Sequence, residues 1–175
     1  MAYLYHKKTM RILVNITLFL LAQTLSAQNQ QPCSTEAHRQ FDFWIGEWAV
    51  YKTGTDTLAG HNSVRQILGS CVIEENWTSA TGWQGKSFNT YNPADSTWNQ
   101  VWVDQSGATY HFSGRREGDI MQFYGETASQ KGEHILFDFS FHYDPEKDTI
   151  RQVWKMSKDE GGNWQVIFDG TYVKE

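Results

Sequence analysis

Hydrophobic and polar residues alternate with a period of two along most of the chain. One face of the segment at 97–104 carries Trp98, Gln100 and Trp102, and polar or smaller residues occupy the opposite face. The segments "HILFDFSFHY" and "TIRQVWKMS" repeat the pattern. Period-two alternation is typical of β-strands that have one buried and one solvated face. We therefore predict a protein made mainly of strands.

Turn-forming sequences separate the alternating segments at short intervals, among them "NPAD", "DQSG", "REGD", "DPEKD" and "KDEGG". The spacing predicts about ten strands, which begin near residues 47, 60, 71, 84, 97, 108, 119, 133, 149 and 164. The segment "STEAHRQFDFW" predicts a short helix over 35–44, with Ser34 or Thr35 as its cap and Glu36 in its first turn.

Ten short strands in series favour an all-β fold, a closed up-and-down antiparallel barrel with the N-terminal helix closing one end. Closure also removes exposed sheet edges. A two-sheet sandwich is the alternative, because periodicity alone does not separate the two architectures.

The N-terminus has the pattern of a signal peptide over residues 1–27. Lys7, Lys8 and Arg11 precede the apolar run 12–22, and small residues end the segment at Ala27. A membrane anchor is the alternative, and the true start is either Met1 or Met10. We predict one domain over 28–175, periplasmic or secreted, with no membrane association after cleavage.

The net charge and the spacing of metal-ligating residues limit the kinds of partner that we expect. Removal of residues 1–27 takes away three of the fifteen basic residues and none of the twenty acidic ones, which leaves a net charge of about −8. We therefore expect no nucleic-acid partner, while the oligomeric state stays open. No zinc-like ligand spacing occurs, so we expect neither a metal nor a cofactor.

The chain has two cysteines, Cys33 and Cys71. Export to an oxidising compartment predicts a disulfide between them. It would close a loop of about 39 residues and contribute about 4 kcal/mol in the chain-entropy model. Two unpaired core thiols are the alternative.

The segment "IGEW" after the predicted helix resembles the Gly-x-Trp entrance of lipocalin-like, or calycin, barrels. The resemblance implies that Trp48 packs across one end and that Gly46 permits its close approach. "FDFWIGEW", "GSCVIEENW", "GKSFNTYN", "WNQVWVDQSG" and "RQVWKMSKDEGGNW" together resemble a secreted bacterial family of unknown function with a predicted calycin-like barrel. That family carries no established activity. The strand count is also similar to haem-binding nitrobindin-like barrels, but their proximal histidine segment has no clear counterpart here.

The inward faces predict a mixed aromatic and polar lining. Such a lining suits a small, partly apolar ligand, whereas unpaired polar groups in a filled core are costly. The alternative is a filled core with a satisfied polar network. A register slip of one residue would exchange Glu75 for Glu74. The candidate ligand-binding residues are Glu75, Trp77, Ser87, Asn89, Tyr91, Trp98, Gln100, Trp102, Gln152 and Trp154.

Two functions follow from this lining. We favour a small-molecule-binding barrel, because no catalytic constellation stands out. The alternative is a barrel enzyme, an isomerase, cyclase or hydrolase, that uses a buried glutamate as acid/base. The segment Ser157–Trp164 is similar to the Asp-box of sialidases, but a single copy is interpreted as a turn.

Overall fold

The computed structural model describes residues 31–129 and 131–175. The chain divides into two units, residues 1–34 and residues 35–175. Of the first unit only residues 31–34 are described, so the predicted signal peptide lies outside the described residues. The strands of the described residues all lie in the second unit.

The described strands are ten in number and follow one another around a closed barrel. Each pairs antiparallel with the next, and β10 pairs with β1. The strands are β1 (Gly46–Lys52), β2 (Leu58–Ile67), β3 (Val72–Ser79), β4 (Gln84–Asn92), β5 (Thr97–Asp104), β6 (Thr109–Glu117), β7 (Ile120–Ala128), β8 (His134–Asp144), β9 (Thr149–Ser157) and β10 (Gln165–Lys174). The predicted closed barrel is confirmed and the sandwich alternative is wrong.

The predicted short helix near the start of the barrel is confirmed, and it is of the 3-10 type. The segment forms two short 3-10 turns, Glu36–Arg39 and Asp42–Trp44, and Thr35 precedes the first without a side-chain cap bond. Between the turns, the carbonyl of Gln40 accepts a hydrogen bond of 2.7 Å from Arg116 on β6. An α-helix would use that carbonyl internally, so the tertiary bond replaces one helical bond.

The two 3-10 turns form a plug at the end of the barrel where β1 begins. Phe41, Trp44 and Trp48 are fully buried, and the rings of Phe41 and Trp44 stack with centroids 4.9 Å apart. The Trp48 indole donates a 2.8 Å hydrogen bond to the carbonyl of Trp44. Gly46 has φ of 151°, and a Cβ there would lie 3.4 Å from the Trp48 indole. The glycine therefore supplies both an unusual backbone angle and room for the ring.

Polar contacts join the plug to β2, to the β2–β3 loop and to β6. Arg39 donates to the carbonyl of Ser70 at 2.6 Å, and Gln66 donates to the Asp42 carboxylate at 3.1 Å. Arg116 also lies over the Phe43 ring, 4.6 Å from its centroid. The plug is thus bound to the barrel wall on several sides, and we refer to this as the closed end.

The predicted disulfide is confirmed, because Cys33 and Cys71 are each disulfide-bonded and are the chain's two cysteines. Within the described part of the chain, no helix is long and apolar enough to cross a membrane.

Trp48→Ala should destabilise the protein by about 3–5 kcal/mol, because it empties a fully buried indole site. Urea unfolding followed by circular dichroism measures the loss. Trp83→Ala is the matched control, since the Trp83 side chain is 43% exposed in the β3–β4 connection. Equal effects of the two substitutions would contradict the assignment of Trp48 to the plug.

Candidate functional site

A cavity of about 90 Å³ occupies the barrel interior away from the plug. Odd-numbered strands leave the closed end and even-numbered strands return to it, so Trp77 and Trp102, late in β3 and β5, lie towards the opposite end. We refer to that end as the mouth. The lining residues are Glu75, Trp77, Gln100, Trp102, Phe112, Phe139, Gln152, Trp154, Phe168 and Tyr172.

Six of the ten candidate ligand-binding residues line this cavity: Glu75, Trp77, Gln100, Trp102, Gln152 and Trp154. Ser87 and Asn89 are fully buried just behind it. Tyr91 and Trp98 lie near the plug instead, where Trp98 contacts the Phe41 ring with centroids 5.7 Å apart. Alternation gives the correct face for all ten residues, but it does not give their depth along the barrel.

Sequence reasoning missed four lining residues and one residue behind them. Phe112 and Phe139 belong to faces already predicted to be inward. Phe168, Tyr172 and the buried Asn62 also follow period-two patterns, in "IFDGTYVK" and "GHNSVRQ". A register shift between Val166 and Phe168 interrupts the pattern at the start of β10. The same parity rule, applied to β2 and β10, would have found these residues.

Glu75 lies at the centre of a buried hydrogen-bond network. Its Oε1 accepts a 2.8 Å bond from the Asn62 amide, and its Oε2 accepts a 2.7 Å bond from the Ser87 hydroxyl. Glu75 and Ser87 are direct cross-strand partners on β3 and β4, and so their side chains point to the same face. Strand register therefore creates this contact.

The network continues in both directions around the wall. On one side, Asn89 donates to Ser87 at 3.0 Å and accepts a 2.7 Å bond from Gln100, its partner on β5. On the other side, Asn62 contacts the Tyr172 hydroxyl at 3.4 Å, and that hydroxyl donates to Gln152. We call this chain the polar belt: Gln100, Asn89, Ser87, Glu75, Asn62, Tyr172 and Gln152.

Burial changes the proton affinity of two groups in the polar belt. Desolvation raises the pKa of Glu75 from 4.5 to about 7, although the hydrogen bonds from Ser87 and Asn62 oppose the shift. The pKa of Tyr172 is raised well above its usual value, mainly by desolvation and then by the charge of Glu75. Glu75 therefore exchanges its proton near neutrality, while Tyr172 stays protonated.

The neighbouring Glu74 is also largely buried, at 8% exposed, but it lies on the other face of β3 beside a cation. It points outward, and its Oε2 accepts a 2.7 Å bond from Arg65. That bond is the main cause of a lowered pKa for Glu74. The structure thus places Glu75 inside and Glu74 outside, in the register predicted from the sequence.

Two buried polar atoms near the cavity have no hydrogen-bond partner among the described residues. They are the indole nitrogen of Trp154, which is a lining residue, and the amide oxygen of Asn62. An unsatisfied buried donor costs about 1–3 kcal/mol. The Trp154 N–H is therefore a candidate contact for a ligand acceptor.

Glycines on the inner face make room for the cavity. A Cβ on Gly85 would lie 2.2 Å from the Trp102 ring, and a Cβ on Gly60 would lie 2.7 Å from the Trp77 ring. Both indoles therefore occupy space that a side chain at these positions would take. The wall has large rings, yet those rings leave part of the interior empty.

The Asp-box-like segment is a turn at the mouth, between β9 and β10. Asp159 accepts hydrogen bonds from the Asn163 backbone at 2.8 Å and the Ser157 hydroxyl at 2.7 Å. The side-chain bond from Asn163 contributes most to lowering the Asp159 pKa to about 2. The carboxylate therefore stabilises the turn, which agrees with the interpretation of the single Asp-box-like motif as a turn.

No protein-family model matches the chain, and no curated protein matches it either. The closed ten-strand barrel is compatible with the calycin-like fold that the sequence resembles. Membership of a secreted family stays a prediction.

The stability of the protein should fall as pH rises from about 5 to 8, by about 3 kcal/mol from Glu75 alone. Between the unfolded pKa near 4.5 and the folded pKa near 7, the folded state binds more protons than the unfolded state, so raising the pH favours unfolding. Urea unfolding at both pH values measures the change. Glu75→Gln should remove this decline, because the amide can keep the Asn62 bond and donate to Ser87.

Glu74→Gln is the matched control and should leave the decline from pH 5 to pH 8 in place. Carboxyl-detected NMR gives a direct reading: Glu75 should titrate near 7 and Glu74 below its usual value. A Glu75 that titrates like a solvent-exposed glutamate would contradict its burial in the polar belt.

Proposed function

We propose that this chain is an exported barrel that binds a small, partly apolar molecule in the mouth half of its interior. The observation that carries the proposal is the aromatic cavity with the polar belt along one side. Apolar walls supply affinity, and a few polar groups fix orientation. The closed end is filled by the plug, which leaves the mouth as the entrance.

The size of the cavity limits its occupant. Its volume of about 90 Å³ is smaller than an engineered cavity of about 150 Å³ that accommodates benzene in another protein. Three tryptophans that line it, Trp77, Trp102 and Trp154, are themselves partly exposed. A ligand can therefore insert a head group of a few heavy atoms and leave the remainder between these rings.

Export is supported by the disulfide, because such bonds persist in oxidising compartments. A periplasmic or secreted location also agrees with the signal-peptide pattern of residues 1–27. A binding protein in that setting would meet its ligand outside the cytoplasm.

A second candidate function is acid/base catalysis, which the state of Glu75 favours. A carboxyl with a pKa of about 7 in a desolvated site can accept or donate a proton near neutrality. Gln100 and Gln152 line the same cavity and offer amide dipoles to developing charge. In an enzyme, Glu75→Gln would abolish turnover and retain substrate binding, whereas a binder would show no turnover in either form.

Native mass spectrometry of the protein purified from its source should show a retained small molecule that is lost on denaturation. The aromatic walls and the polar contacts together favour slow release of a matched ligand. Protein that carries no adduct, and that also binds nothing in a tryptophan-fluorescence screen of small aromatics, would contradict the binding function.

Gly85→Ala should weaken binding about tenfold or more, because the new methyl group forces the Trp102 ring off the wall and into the cavity. Isothermal titration with the retained molecule measures the effect. The control is the double substitution Gly85→Ala with Trp102→Phe, whose smaller ring should restore room and recover binding. Equal affinity of Gly85→Ala and wild type would place the ligand elsewhere.

A further inference from the structure

We propose that the ligand is a small organic cation, a protonated amine on an apolar frame, and that its ammonium group binds the Glu75 carboxylate. The inference rests on the proposed binding function and adds the charge of the ligand to it. Three features of the cavity support it. They are its ionisable groups, its aromatic rings and the hydrogen bonds that most of its donors already make within the protein.

Among the described residues, the ionisable side chains that line the cavity are Glu75 and Tyr172, and none of the described lysines, arginines or histidines lines it. Both hydrogen-bond donors to Glu75, Asn62 and Ser87, are neutral. A buried carboxylate without a cationic partner is costly, because Coulomb attraction within the protein does not offset its lost hydration. An ammonium ion that enters the cavity would supply the missing counter-charge.

Aromatic rings form walls at right angles around the same space. Trp77 and Phe168 meet at 86° with centroids 5.9 Å apart, and Phe112 and Trp154 meet at 82° with centroids 5.7 Å apart. The faces of aromatic rings attract cations, and boxes of such rings recognise alkylammonium groups. The walls therefore favour the same charge that Glu75 favours.

The polar belt has little to offer an anion. The Ser87 hydroxyl and the Asn62 amide donate to Glu75, and the Gln100 amide donates to Asn89. The Tyr172 hydroxyl donates to Gln152. The Gln152 amide N–H is the belt donor that lines the cavity without a bond among the described residues, and an anion that used it would still lie close to the Glu75 charge. The Trp154 N–H, which has no partner among the described residues, is suited to a neutral oxygen on the ligand.

Binding of a cation should depend on pH through Glu75. The groups that face Glu75 from neighbouring elements are Asn62 on β2, Ser87 on β4 and Tyr172 on β10, and of these only Tyr172 titrates. Tyr172 remains protonated across the neutral range, so Glu75 alone changes charge there. Affinity for an amine should rise as pH increases through about 7, because the carboxylate form accumulates.

The test compares three probes of similar shape at pH 8: 2-phenylethylamine, 2-phenylethanol and phenylacetate. Isothermal titration should show the amine binding at least about tenfold more tightly than the alcohol, which corresponds to one charge-assisted hydrogen bond. Phenylacetate should bind most weakly. Glu75→Gln should reduce the affinity for the amine to that for the alcohol, whereas Glu74→Gln should leave it unchanged.

The outcomes separate the two proposals. If the alcohol binds as tightly as the amine, or if phenylacetate binds more tightly than the amine, the cation inference is wrong. The proposal that the barrel binds a small molecule would still stand. No binding by any probe overturns the inference, and small-molecule binding falls with it only if the native protein also carries no adduct. NMR titration adds a second reading: in the amine complex, Glu75 should titrate well below its pKa of about 7 in the free protein.

Discussion

Pairing of β1 with β10 is the constraint on which the rest of the structure depends, since it turns an open meander into a closed wall. Once the wall is closed, every strand position is either inside or outside, and no sheet edge remains. The plug can then fill one end completely. Glu75 is removed from water only because both the wall and the plug are in place.

The interior of the barrel differs between the closed end and the mouth in the groups that it buries. Around the plug, aromatic rings fill the interior and the backbone is fastened by Arg39 and Arg116. Towards the mouth, a desolvated carboxyl lowers stability. Buried indole N–H groups without a partner among the described residues occur at both ends, that of Trp44 in the plug and that of Trp154 at the cavity. Proteins commonly tolerate such local costs where a site needs them and offset them elsewhere.

The strands were predictable because a period of two is a strong local signal, and all the predicted starts lie within two residues of the observed ones. The inward position of Glu75 followed from the same parity. A short helix before β1 was predictable, but its division into two 3-10 turns was not, because Arg116, distant in sequence, donates to the Gln40 carbonyl. Parity also could not show that Tyr91 and Trp98 lie beside the plug. Depth along a barrel depends on register between strands, which one strand's pattern does not contain.

The pairing of Gly85 with Trp102 separates two properties of the pocket that are usually linked. Space is controlled by missing methyl groups on the wall, whereas charge recognition is controlled by the polar belt, whose members are different residues. A one-carbon change at Gly85 can therefore alter which shapes enter the cavity, while the carboxylate and its donors keep their places. Evolution or design could thus tune ligand size and ligand charge in this barrel one at a time.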